Sequence, residues 1–228
     1  MMSLPLGNPL VFFLIILIPL LLVVLFINVV EAAFQRIGLS PMMASVLVFA
    51  TILGSLVNIP LRKVTCTRTV ERPMASGFYH FIYPQSTQGY MEQCDTTVAI
   101  NVGGAVVPLL LCIYMFARYP EYLFPWCLVT IPIMVGICYK ISRVVPNVGI
   151  VMPTFVPPLM SAGLALLFAG DAFPVALSFV TGVLGVIIGA DLLNLNKISR
   201  TTARTISIGG AGTFDGIFLT GIISVFLV

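Results

Sequence analysis

Apolar positions along this chain run in long stretches separated by short polar interruptions. Seven stretches stand out, at about 9–30, 41–60, 99–117, 122–140, 148–169, 172–194 and 209–228. Each comes close to the roughly 20 residues a helix needs to cross the hydrocarbon of a bilayer. Helices are expected because hydrocarbon offers no partner to stray backbone N–H and C=O groups. The fifth and sixth stretches are separated only by "GDA" at 170–172, which reads as a tight helical hairpin. The first has a spanning length and no Lys or Arg before it, so it predicts a retained helix rather than a cleaved leader. The expectation is an all-α membrane protein of about seven transmembrane helices, forming one polytopic domain over residues 1–228.

The one sizeable polar connection is 61–98. It opens on "VTCTRTV" (64–70) and closes on "DTTVAINV" (95–102). Both ends are β-branched and roughly alternating, which predicts a hairpin outside the membrane. Cys66 and Cys94 can face each other across it, but on a reducing side they stay thiols. His80, the single histidine, reads as a solvated loop residue. Cys112, Cys127 and Cys138 read as small apolar residues within helices.

Composition supports the lipid assignment. Apolar residues make up 59% of the chain and charged residues 8%, with a mean hydropathy of +1.12. A soluble domain carries about a quarter charged residues. The net charge of +3 matters less than its placement. With seven crossings, the connections after helices two, four and six share a side with the N-terminus. They hold Arg62, Lys63, Arg68, Arg72, Lys140, Arg143, Lys197, Arg200 and Arg204, nine of the eleven basic residues; only Arg36 and Arg118 lie opposite. Basic connections stay cytoplasmic, so the N-terminus is expected inside and Val228 outside. Tyr114, Tyr119, Tyr122 and Trp126 suit interfacial anchoring. No basic tract with interleaved aromatics points to nucleic acid, and no Cys/His spacing points to a metal or cofactor. The expected surroundings are membrane lipids.

Prolines fall inside several stretches, at Pro108, Pro132, Pro153, Pro157, Pro158 and Pro174. Each removes a helical hydrogen bond and bends or interrupts its helix. In "MPTFVPPLMS" (152–161) the outcome is either a kinked helix or a broken one whose freed backbone lines a cavity around Pro157 and Pro158.

Two acids lie within the last stretches: Asp191 in "GADLLNL" and Asp215 in "GGAGTFDGIFLTG". Asp191 is about 5 Å from the cytoplasmic end of helix six, and Asp215 about 9 Å into helix seven, at 1.5 Å per residue. Helices joined by a short loop usually pack together, so the carboxylates are expected at similar depth. Gly182, Gly185 and Gly189 on one helix, and Gly212 and Gly216 on the other, permit close approach. A buried acid costs about 2.5 to 3.5 kcal/mol to insert, so these residues face a cavity or each other. Carboxylates in contact share a proton rather than both ionising. Such a pair suits aspartyl proteolysis, in which one activates water and the other protonates the carbonyl oxygen. It equally suits proton-coupled transport, and a purely structural role also stays open. Asn58 and Asn101, amides near a membrane boundary, are secondary candidates for lining the cavity or bonding across helices.

The paired motifs, with "VNIPL" (57–61), "NVGGAVVP" (101–108) and "MPTFVPPL" (152–159), resemble a family of uncharacterised prokaryotic membrane proteins sharing a domain of unknown function. The resemblance covers essentially the whole chain and implies a multi-pass protein of a prokaryotic cell membrane. More distantly, an aspartate ending one helix and a Gly-rich aspartate early in the next resembles the GxGD aspartyl proteases: presenilin, signal peptide peptidase and prepilin peptidase. That likeness implies catalytic Asp191 and Asp215 and a transmembrane peptide substrate. Two departures stand out. "GTFD" at 212–215 sets the glycine three residues before the aspartate rather than two, and no Pro-Ala-Leu helix follows Asp215.

The expected orientation is tested by cysteine labelling. A Cys placed at Ser199, in a chain whose native cysteines are replaced, should resist an impermeant reagent added to intact cells. Labelling from outside would reverse the topology.

Overall fold

The computed structural model describes residues 9–73, 87–145, 149–169, 173–200, 205–210 and 215–228. His80 and Gly212 lie outside them, as do the side chains of Cys66 and Cys94. Each apolar stretch contains one α-helix: α1 (Pro9–Arg36), α2 (Pro41–Gly54), α3 (Val107–Arg118), α4 (Pro120–Ile141), α5 (Val156–Ala169), α6 (Pro174–Val186) and α7 (Gly216–Leu227). Small sheets accompany them. The hairpin expected over 61–98 is present as β1 (Asn58–Pro73) against β2 (Thr87–Asn101), antiparallel, with Cys66 opposite Cys94 in register. A short hairpin, β3 (Arg143–Val145) with β4 (Gly149–Val151), follows α4. Strand β5 (Thr205–Ile208) then joins β2 in parallel, giving the order β1-β2-β5.

Seven full-length crossings are not found among the described residues. Among the described residues, three helical runs are long and apolar enough to cross a membrane: Leu10–Arg36, Pro120–Ile141 and Pro174–Lys197. The other four are shorter; α2, at 14 residues, is about 21 Å long against roughly 30 Å of hydrocarbon. The missing length has gone into strands and turns. The second stretch gives its last residues to β1, and the third gives its first to β2. The fifth gives residues 149–151 to β4, and the seventh spends Gly209 and Gly210 on a turn. Apolar β-branched residues suit either state, so hydropathy does not register the switch.

The prolines behave differently from expectation for a related reason. Pro157, Pro158 and Pro174 sit in the first turns of their helices, where a missing N–H costs nothing, and Pro108 sits where the π-turn Val102–Val106 passes into α3. Pro132 lies inside α4. "MPTFVPPLMS" is therefore a helix start, neither a kink nor a mid-helix break.

Successive connections alternate between two ends of the bundle. At one end Arg36 Nη2 donates to the Val228 carbonyl at 2.8 Å, and Phe173 stacks on Tyr119 and Tyr122 at 4.7 and 4.9 Å. At the other lie both sheets. Between them runs α6, buried along nearly its whole length from Ala176 to Val186 and packed on α4, α5 and α7. The bundle closes on it backbone to backbone at one point. A Cβ on Gly189 would lie 2.5 Å from the Val135 carbonyl oxygen of α4. A Thr130–Thr181 hydroxyl bond of 2.8 Å joins the same two helices farther along. By contrast, α1 is packed only near its end, through Val30, Ala33 and Phe34, and leaves Leu10 to Leu25 exposed to the surrounding solvent, which for such a surface is lipid.

Gly189→Ala should therefore destabilise the protein by about 1–3 kcal/mol, because a backbone carbonyl cannot move aside as a side chain can. Gly136→Ala, whose Cβ meets nothing within 4 Å, should be neutral. Thermal unfolding in detergent distinguishes them; equal melting temperatures would refute the close contact.

Candidate functional site

Where α6 ends, its backbone widens into a π-turn, Ile187–Asp191, and then tightens into a 3₁₀ helix, Leu192–Arg200. Single π-turns inside helices are frequent at functional sites. The change of pitch strands carbonyl groups, and Asn194 satisfies them. Its buried Nδ2 donates to the carbonyls of Ala190 at 2.8 Å and Gly189 at 3.3 Å, and to Ser142 Oγ at 2.8 Å. Lys197 Nζ donates to Asn194 Oδ1 at 2.7 Å. The amide thus ties the end of α6 to the end of α4 and fixes Asp191 at the last residue of the π-turn.

Asp215 is held differently. It is the N-cap of α7, with extended backbone (φ −72°, ψ 151°), and its Oδ1 accepts from Ile217 N–H at 3.0 Å. Aspartate is favoured there because its oxygen satisfies an N–H that the helix leaves unpaired. Gly216 begins α7 and lies beneath Met152, whose Cε would be 2.4 Å from a Cβ at that position.

The sheet supplies the third wall. Asn58 Oδ1 accepts from Ser207 Oγ at 2.6 Å and from Asn101 Nδ2 at 3.1 Å, bridging β1, β2 and β5. Asn101, fully buried, also donates to the Ser55 carbonyl at 2.8 Å and accepts from Gly104 N–H at 2.8 Å. That last bond caps the π-turn Val102–Val106 leading into α3.

These elements surround two adjoining cavities, and both carboxylates line each. The larger, about 470 Å³, is bounded by Asn58, Ile150, Asp191, Leu195, the four residues of β5, and Asp215. The smaller, about 190 Å³, is bounded by Ile150, Met152, Val186, Ala190, Asp191, Asp215 and Gly216. Both carboxylates therefore border the same space. The larger volume falls within the range of small-molecule sites and far exceeds the roughly 30 Å³ of one water. Among the described residues no group of three or more His, Cys, Asp or Glu can hold a metal.

Of the residues singled out in the sequence, Asp191, Asp215, Asn58 and Gly216 lie on the cavity walls. Asn101 stands behind Asn58. Pro157 and Pro158 are buried in the first turn of α5 and are not among the lining residues. The β5 residues and the β4–Met152 wall were not anticipated. The alternation in "TISI" (205–208) is the signal that marks β5; Met152 carries none, since its role follows from packing over Gly216.

If Asn58 clamps β5 to the hairpin, Asn58→Ala should speed amide exchange at Ser207 and Ile208 several-fold while Lys63 and Val64 stay protected. Hydrogen-exchange mass spectrometry measures both. Unchanged exchange in β5 would show that the parallel ladder alone holds it.

No curated protein and no solved structure matches the chain. The family model described as "Protein of unknown function (DUF1614)" matches residues 52–227, which takes in every element from the end of α2 to α7 and both aspartates. The match names no activity and makes no connection to the GxGD proteases. The chain belongs to the DUF1614 family of proteins of unknown function.

Proposed function

We propose that the protein is an intramembrane aspartyl protease whose catalytic pair is Asp191 and Asp215. The observation that carries this reading is that both carboxylates line the same two cavities. One carboxylate takes a proton from water as it attacks the peptide carbonyl, while its protonated partner donates to the carbonyl oxygen. A peptide is favoured over other substrates by β5. It is the outer strand of its sheet, and Thr205 to Ile208 line the larger cavity, so an extended segment has backbone groups to pair with. On this reading the sheet end faces the cytoplasm, the N-terminus is inside and Val228 outside, and the substrate is a membrane-embedded peptide entering from lipid in a prokaryotic cell membrane.

One observation favours proton-coupled transport by the same pair. Thr220 Oγ1 is buried on α7 with no hydrogen-bond partner among the described residues, five residues beyond Asp215 toward the opposite end of the bundle. A buried hydroxyl there suits a water-borne proton path.

The two readings part in liposomes holding purified protein and a library of single-span peptides. Proteolysis predicts cleavage products by mass spectrometry. Asp191→Asn and Asp215→Asn should each reduce them to background, and the double variant should be no worse than either single one. Solute or proton flux that requires both acids, with no peptide cut between pH 4 and 8, would replace the protease with the transporter.

A further inference from the structure

A third concavity lies beside the smaller carboxylate cavity, with which it shares Val151 and Met152. It holds about 580 Å³ and is lined by Lys140, Ile141, Arg143, Val151, Met152 and Pro153. Two of the six are cationic, none is acidic, and the other four are apolar. Lys140 occupies the last turn of α4 and Arg143 begins β3. Both are exposed, and neither side chain has a hydrogen bond or ion pair with the described residues.

Lys140 by itself has an ordinary explanation, since a cation in the last turn complements the helix dipole. Arg143 lies past the helix and is not explained that way. What the two share is the concave surface facing a wall of Val151, Met152 and Pro153. The position is also specific. Helix α4 is one of the runs able to cross a membrane, and these cations stand at its end, the level at which lipid headgroups lie. Beyond Pro153 the chain passes into Phe155 and Leu159, exposed at 69% and 53% one turn apart at the start of α5. A cationic concavity with an apolar wall, followed along the chain by exposed apolar residues, matches a phosphate attached to acyl chains.

We infer that this groove binds the phosphate group of an anionic membrane lipid. Arg143 offers the planar donor pair that fits two phosphate oxygens, and Lys140 adds a point charge beside it. The apolar wall takes the glycerol and first methylenes. Val151 and Met152 also line the smaller carboxylate cavity, so the lipid would sit one residue layer from Asp215 and brace the Met152 that covers Gly216. The inference stands whether the carboxylate pair hydrolyses peptides or carries protons.

Native mass spectrometry of the full-length protein, exchanged into micelles doped with equal phosphatidylglycerol and phosphatidylcholine, tests it. The wild type should retain phosphatidylglycerol preferentially. Lys140→Gln with Arg143→Gln should weaken that retention roughly ten- to thirty-fold, as two near-surface cations imply. Arg62→Gln with Lys63→Gln removes the same charge from the same end, at exposed positions on β1, and should leave retention unchanged. Equal loss in both double variants would mean a diffuse field and no site. Absence of any phosphatidylglycerol preference, or binding of inorganic phosphate with no lipid selected, would also overturn the inference.

Discussion

The placement of Asp191 depends on how closely α4 approaches α6. Lipid supplies no hydrophobic drive between helices, so they associate through close packing and through polar bonds that lipid cannot replace. Here Gly189 lets the Val135 carbonyl of α4 rest against the backbone of α6's π-turn, and Gly185 receives the side chain of Met134. With α4 at that distance, Ser142 comes within reach of Asn194, and Asn194 can close the carbonyls that the change of helical pitch leaves open. A larger residue at 189 would push α4 away and undo that arrangement. Asp191 would then lose the scaffold that fixes where it points.

The two acids are tolerated because each sits where a helix is already incomplete. Asp191 closes a π-turn, and Asp215 caps the start of α7. Helix ends carry unpaired backbone groups in any case, and here Asn194 and Asp215 meet some of them. The Asn58–Asn101–Ser207 cluster ties the hairpin and β5 across this opening. The result is a pocket that both acids line, walled by strands on one side and helices on the other. On the proposed reading, an extended peptide and a water molecule meet the two carboxylates there.

Much of this was legible in the sequence, for identifiable reasons. Long apolar stretches mark helices that need no water, and alternation at 64–70 and 95–102 marks the hairpin. Asp191 and Asp215 stood out because charge is scarce in such stretches. The switch from helix to strand inside an apolar stretch was not legible: "VNIPL" at 57–61 serves a strand as readily as a helix, and there it begins β1. The prolines gave a false impression because their effect depends on position within a helix; Pro157 and Pro158 start α5 instead of breaking it. Strand β5 was hidden within a basic connection, although it contributes a full wall of the site. Met152 was invisible for a different reason, since only the three-dimensional packing sets it over Gly216.

The central claim is that Asp191 and Asp215 form one coupled acid pair. Infrared titration of the carboxyl bands in reconstituted protein tests it most directly, comparing wild type with Asp191→Asn and Asp215→Asn. A coupled pair titrates in two steps that belong to both groups. Removing either acid should therefore change the titration of the one that remains and leave a single step. If each remaining carboxyl titrates in its variant as it does in the wild type, the two groups are independent and the account fails.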